Sequence, residues 1–262
     1  MSLIQVGKMR LNVVERGTGI PLVLVHGYPL DHSMWQGQID GLANGCRVIA
    51  PDLRGFGASD VVPGVAMMQQ MADDIAGLLD ALAIKEPIAF CGLSMGGYVA
   101  WQFALRHRQR LAKLVLCDTR AAADTPEAAQ GRRKTAETVL VRGAGVAAES
   151  LIPKLFAAST ITDAPHLVEQ TRQVILRTSP EGIAAALHGM AERPDVTAQL
   201  SQLDVPALVI CGQHDGISPP AEMRQIASQL PHARYVEIAD AGHMAPLEQP
   251  IVVNAAIEQF LS

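Results

Sequence analysis

Aromatic residues are scarce in this chain of 262 residues, at 4% for Phe, Trp and Tyr together. Apolar residues still make up 49%, so the interior must be built mainly by aliphatic packing. Charge is sparse as well, at 18%, which with that apolar content excludes a disordered chain. Positive charge is in deficit: 21 Lys and Arg stand against 26 Asp and Glu, for a net charge of −5. Nothing electrostatic therefore favours nucleic acid or an anionic membrane surface as a partner. No apolar run approaches the roughly 20 residues that cross a bilayer. Met1 to Glu15 has no basic start, apolar run and small-residue cleavage site, so no secretory signal is expected. The four cysteines, Cys46, Cys91, Cys117 and Cys211, form no CxxC pair and do not cluster with histidines, and no HExxH is present. No metal, redox motif or cofactor is expected on these grounds. A soluble, cytoplasmic protein acting on a small molecule is the expectation; oligomeric state is left open.

The chain is long enough for one large domain or two small ones with a full core. Ile4 to Val6 and Arg10 to Glu15, around Gly7, predict an opening hairpin. Short continuous apolar runs follow at Leu22 to Val25, Arg47 to Ala50, Ile88 to Cys91, Lys113 to Cys117 and Ala207 to Cys211, with a more mixed one at Arg234 to Ile238. Such runs suit strands buried on both faces of a parallel sheet. Helical patterns alternate with them. Met67 to Leu82 places Met71, Ile75, Leu78, Leu79 and Leu82 on one face, with Asp73 and Asp74 opposite, as surface. Met95 to Arg106, Glu222 to Leu230 and about Ile251 to Leu261 complete the series. The fold class is therefore α/β, a mostly parallel sheet covered by helices on both faces. The alternation fails from about Ala121 to Ala198, which is Ala-rich, helix-prone and punctuated by prolines. Residues 121–198 are read as a helical cap inserted into a core made of 1–120 and 199–262.

Gly92-Leu93-Ser94-Met95-Gly96 lies between a predicted strand and a predicted helix. That is the context a nucleophile elbow requires, with small residues flanking a serine held exposed on a tight turn. A serine hydroxyl needs a base. His243 lies between the last strand and the last helix, at the same sheet edge, whereas His26 and His214, which also follow strands, do not come after the acid in the chain. The base needs a carboxylate to fix its tautomer. Asp215 follows the strand Ala207 to Cys211, and Asp118, at the end of the preceding strand, is its rival. For the oxyanion, the N–H groups of Met95 and Tyr28 are the candidates, the latter in His26-Gly27-Tyr28-Pro29 after the third strand. Asp52 to Asp60 is a glycine-shaped loop that Arg54 and Asp60 are expected to pin, and not a dinucleotide fingerprint. Arg132-Arg133-Lys134 reads as a solvated helix face, with carboxylate binding as the alternative. Cys91, Cys117 and Cys211 each end a predicted buried strand and are expected to form one inert band below the site.

Taken together, these segments, with Ser218-Pro219-Pro220 and Glu248-Gln249-Pro250, resemble the α/β-hydrolase superfamily, and the likeness covers nearly the whole chain. Within it the chain looks most like small capped serine esterases and 3-oxoadipate enol-lactonase-like enzymes. The resemblance implies an eight-stranded sheet, a carboxylesterase reaction through an acyl-enzyme, and a substrate that is an ester or a lactone. Ser94 argues against the branches whose nucleophile is Asp, and Ser94-Met95 is shared with cofactor-free perhydrolases, which implies that activity as a side reaction. A C–C bond hydrolase is a further alternative. A non-catalytic ligand-binding protein on this fold would be marked by a broken Ser–Asp–His set, and here all three residues are present.

Overall fold

The structure, a computed structural model, describes residues 1–262. Strands β1 (Ser2–Val6) and β2 (Met9–Arg16) form the opening hairpin, turning at Gly7 with φ 57°. Then come β3 (Ile20–Val25), α1 (Gln36–Gly41), β4 (Cys46–Pro51), α2 (Met68–Ala81), β5 (Ile88–Leu93), α3 (Met95–Arg106) and β6 (Leu111–Cys117). Five helices follow without a strand: α4 (Pro126–Arg142), α5 (Gly145–Leu155), α6 (Ala158–Asp163), α7 (Pro165–Arg177) and α8 (Pro180–Ala191). The sheet resumes with β7 (Ala207–Gly212), α9 (Pro220–Gln229) and β8 (Ala233–Ile238), and the chain closes with α10 (Ala245–Glu248) and α11 (Pro250–Leu261).

The eight strands lie in the order β1-β2-β4-β3-β5-β6-β7-β8. Only β1–β2 and β2–β4 pair antiparallel; every pairing from β4 to β8 is parallel. Side chains of β3, β5 and β7 are buried almost without exception, because helices cover both faces. The apolar runs in the sequence reflect that double burial. β5 runs two residues beyond Cys91, to Leu93, so Cys91 pairs with Val115 while Cys117 lies opposite Leu93. The short helix α1 escaped sequence reading, since six residues are too few for periodicity to show.

Between β6 and β7 three prolines mark helix starts, while Pro153 lies inside α5. Pro126, Pro165 and Pro180 sit in first turns, where a missing N–H costs nothing. Ala136, Val139, Ala147, Ala148, Ile152 and Leu155 of this insertion belong to the same continuous core as the sheet. The helices thus have no separate core. Two surface readings need correcting. Asp73 is half-exposed and pairs with Arg106, but Asp74 is buried and takes two 2.6 Å hydrogen bonds from Arg54. Arg132 is not on a solvated face; it turns inward to Asp124, while Arg133 and Lys134 stay further out. In both cases an ionic partner outside the helix, Arg54 for Asp74 and Asp124 for Arg132, decides the orientation, which helical spacing alone does not reveal.

Candidate active site

Ser94 stands between β5 and α3 with φ 52° and ψ −111°. A non-glycine residue held there costs on the order of 1–3 kcal/mol, so the surroundings must over-determine it. They do. Ser94 N–H donates to the Cys117 carbonyl at 2.9 Å, and the Thr119 hydroxyl donates to the Ser94 carbonyl at 2.7 Å. A Cβ on Gly92 would lie 2.3 Å from the Gly96 carbonyl oxygen, and one on Gly96 would lie 2.1 Å from that of Val25. Side chains are therefore excluded on both sides of the serine, and α3 presses its first turn onto the end of β3. The Ser94 hydroxyl does not cap the helix it precedes.

His243 lies in the loop between β8 and α10 and is buried. Its Nδ1 is 2.8 Å from Asp215 Oδ2. Asp215, beyond β7, also accepts the N–H groups of Ile217 and Ser218 on Oδ1, at 2.7 and 3.0 Å. Burial pushes this carboxyl up, but the imidazole of His243 and those N–H donors outweigh it and hold it below its ordinary value. An ionised Asp215 places the imidazole hydrogen on Nδ1 and leaves Nε2 free to take a proton.

The rival acid sits differently. Asp118 ends β6 with φ 46°, is fully buried, and accepts the Gly212 N–H on Oδ1 at 2.7 Å. Its Oδ2 has no hydrogen-bond partner, and its close ionisable neighbours include Asp215 and Cys211, the three groups lying within 4.8 Å of one another. Burial first, and the Asp215 charge second, raise its carboxyl well above the ordinary range, which favours its neutral form. Asp118 makes no bond to His243.

Tyr28 lies in the loop after β3. That loop is shaped by Leu30 N–H to the Gly27 carbonyl at 3.0 Å and Gly27 N–H to Met34 Sδ at 3.4 Å, and the Tyr28 N–H takes no part in it. Met95 opens α3, so its N–H has no intrahelical acceptor. His26 is committed as a scaffold: Nδ1 donates to the Gly27 carbonyl at 2.9 Å and Nε2 accepts the Leu53 N–H at 3.0 Å. Burial lowers its pKa, which agrees with a neutral ring.

The loop at 52–60 is pinned by more than Arg54 and Asp60. Asp60 binds Arg10, but the hub is Asp52, which sequence reading did not single out. Its carboxylate accepts from the N–H groups of His32 and Ala58, the Asn12 amide and His32 Nδ1, at 2.7–3.0 Å. Burial opposes ionisation there, yet these partners hold Asp52 down at about 2. Inside the insertion, Asp124 bridges Arg132 (2.5 Å) and Arg193 (2.7 Å), and Arg193 stacks 4.3 Å over the Tyr98 ring of α3. Asp124, Arg193 and Tyr98 carried no sequence signal, because only the folded chain brings them together. A groove of about 600 Å³ between the 30–36 segment and α7 contains none of Ser94, Asp215 or His243.

Comparison with known proteins now decides the family. Residues 20–250 match the family described by the alpha/beta hydrolase fold. The chain belongs to that family. A 3-oxoadipate enol-lactonase of Acinetobacter baylyi is 32% identical over 229 residues, covering 87% of this hydrolase and 84% of the relative. A thermophilic esterase from Thermogutta terrifontis, solved with malate bound, is 50% identical with a TM-score of 0.97, over 99% of this chain and 97% of its own. An enol-lactonase from Burkholderia xenovorans is 32% identical with a TM-score of 0.91, over 98% of each chain. The hydrolase therefore resembles both ester- and lactone-cleaving proteins along its full fold.

Proposed function

We propose that the protein is a carboxylesterase-type serine hydrolase with Ser94 as nucleophile, His243 as general base and Asp215 as the acid that orients it. The observation that carries this reading is the backbone of Ser94, held at positive φ between β5 and α3 with its hydroxyl uncommitted to the helix. Such strain persists where it serves a function. Ser94 Oγ attacks the acyl carbon while His243 Nε2 takes its proton. The oxyanion forms against the N–H groups of Tyr28 and Met95. His243 returns the proton to the leaving alkoxide, leaving an acyl group on Ser94. Water, deprotonated by His243, then releases the acid and restores the serine. We place the protein in a reducing compartment such as the cytoplasm, on the ground that its four cysteines are buried and unpaired.

A second reading narrows the substrate to esters or lactones that carry a carboxylate. Two guanidinium groups, of Arg132 and Arg193, share the carboxylate of Asp124, and Arg193 is also within electrostatic reach of Asp195, so Arg132 has only a shared carboxylate as its ionic partner. Arg132 is close enough to Tyr28 to act on it electrostatically, and the Tyr28 hydroxyl is buried without a hydrogen-bond partner. An anionic group would satisfy both. The enol-lactonase relatives and the malate-bound esterase agree with such a substrate. On this reading α4 to α8 act as a cap that forms one wall of the substrate pocket. The test compares a neutral nitrophenyl ester with the nitrophenyl monoester of a dicarboxylic acid. Arg132→Gln should lower kcat/KM for the monoester about tenfold or more and leave the neutral ester within about threefold. Equal losses on both would reject the anionic substrate while leaving the triad untouched.

A further inference from the structure

Glu248 ends α10, five residues beyond His243, and every oxygen of its carboxylate is spent on hydrogen bonds. Oε1 accepts the Gly242 N–H at 2.8 Å. Oε2 accepts the Ala157 N–H at 2.8 Å and the Thr160 hydroxyl at 2.6 Å. Gly242 immediately precedes His243, whereas Ala157 and Thr160 belong to the inserted helical segment. Two further contacts run the same way. Met244 N–H donates to the Leu155 carbonyl at 3.2 Å. Gly242 itself lies flush on the insertion, where a Cβ would sit 2.6 Å from Ala157 N and 2.7 Å from the Phe156 carbonyl carbon. The residues on both sides of His243 are thus bonded to Leu155 and, through Glu248, to Ala157 and Thr160. The sheet holds the loop from the other side, through His214 N–H to the Ala241 carbonyl at 2.8 Å and through Asp215.

We propose that Glu248 is a positioning residue whose carboxylate locks the His243 loop to the insertion, so that the helices between β6 and β7 help to set the reach of the general base. The inference rests on His243 being that base. Only a carboxylate suits the position, because both of its oxygens receive a backbone N–H. A glutamine of the same shape has one acceptor oxygen, and its NH₂ would face either the Gly242 or the Ala157 N–H. One buried donor must then go unpaired, and the loop relaxes away from the insertion.

The experiment uses a small nitrophenyl ester and a fluorophosphonate, with active sites counted by titration so that misfolded molecules are not scored. Glu248→Gln should lower kcat per titrated site about 10- to 100-fold, the scale of an ångström-sized displacement of a catalytic group. KM should stay within about threefold, and the fluorophosphonate should react more slowly in the same proportion. Thr160→Val removes one bond from the insertion side and leaves Glu248 in place. It should lower kcat about threefold, again with KM unchanged. It also decides the matter should Glu248→Gln fail to fold. Unchanged kcat per site in the folded variants, or an effect confined to KM, overturns the role of Glu248 while labelled Ser94 leaves the triad standing. Full turnover by Ser94→Ala would instead overturn the triad reading and this inference with it.

Discussion

At the scale of single residues, the account turns on two carboxyls set at the ends of neighbouring strands. Asp215 is held ionised by His243 and two N–H groups, while Asp118 is buried, partnerless on one oxygen and raised well above its ordinary value. Asp215→Asn should therefore cost far more in kcat than Asp118→Asn, since the former presents a donor to His243 Nδ1 and inverts its tautomer. Asp118→Asn keeps an acceptor for Gly212 N–H and a neutral group in place of a neutral group. The sign of its stability effect follows from linkage. A carboxyl with a raised folded pKa is proton-bound in the native state and ionised in the unfolded chain once the pH exceeds about 4, so stability falls as pH rises through that window. Asp118→Asn should raise the Tm at pH 7 relative to wild type and have less benefit at pH 4. Thermal melts at the two pH values check it, and a lower Tm at pH 7 would mean that Asp118 is ionised. The sequence carried Ser94, His243, Asp215 and Asp118 to the same sheet edge, because strand ends and glycine-framed turns are local signals. The order of serine, acid and histidine along the chain favoured Asp215 over Asp118, but nothing in the sequence showed that Arg132 and Asp74 turn inward, because helical spacing does not reveal ionic partners outside the helix.

At the scale of elements, close approach of the backbone separates glycines that are required from those that are not. Gly96 in α3 has no room for a methyl group beside the Val25 carbonyl oxygen, whereas Gly131 in α4 has nothing within 4 Å of its would-be Cβ. Gly96→Ala should displace the elbow helix and abolish both labelling of Ser94 and soluble expression. Gly131→Ala should stabilise the protein by about 0.5–1 kcal/mol, the helix propensity difference, with activity unchanged. Denaturant unfolding of the second variant and yield of the first test the pair. The strands make a companion prediction. Cys91 Sγ and Cys117 Sγ lie 3.9 Å apart inside the sheet layer, and Cys211 Sγ points at the carbonyls of Gly212 and Ser218. Its Cys91 neighbour and burial raise the Cys117 thiol, and burial raises Cys211. A bulky thiol reagent should leave all three unmodified in native protein and react quickly in urea. Rapid native labelling would contradict the strand placement. The apolar runs exposed these strands in the sequence to within two residues. They could not fix how far β5 continues, since Gly92 and Leu93 serve both the strand and the turn.

At the scale of the whole molecule, one continuous core, mostly aliphatic but holding both Trp and all five Phe residues, joins the sheet to the helices inserted between β6 and β7. No helix is long and apolar enough to cross a membrane. The inserted helices reach the proposed site at two places, through Arg132 acting on Tyr28 and through Ala157 and Thr160 at Glu248. Exchange of residues 121–198 for the equivalent segment of a related hydrolase should therefore alter kcat as well as substrate preference, unless the incoming segment preserves the Glu248 contacts. The central claim is that Ser94 carries the acyl group, and the most direct test is to locate a covalent adduct by mass. Native protein is treated with a fluorophosphonate, digested, and its peptides sequenced by mass spectrometry. The account predicts a single stoichiometric adduct on Ser94, absent from Ser94→Ala, with ester hydrolysis lost in step with labelling and kcat of that variant reduced on the order of a thousandfold or more. An adduct on another residue, or full ester turnover with Ser94 blocked, would contradict it.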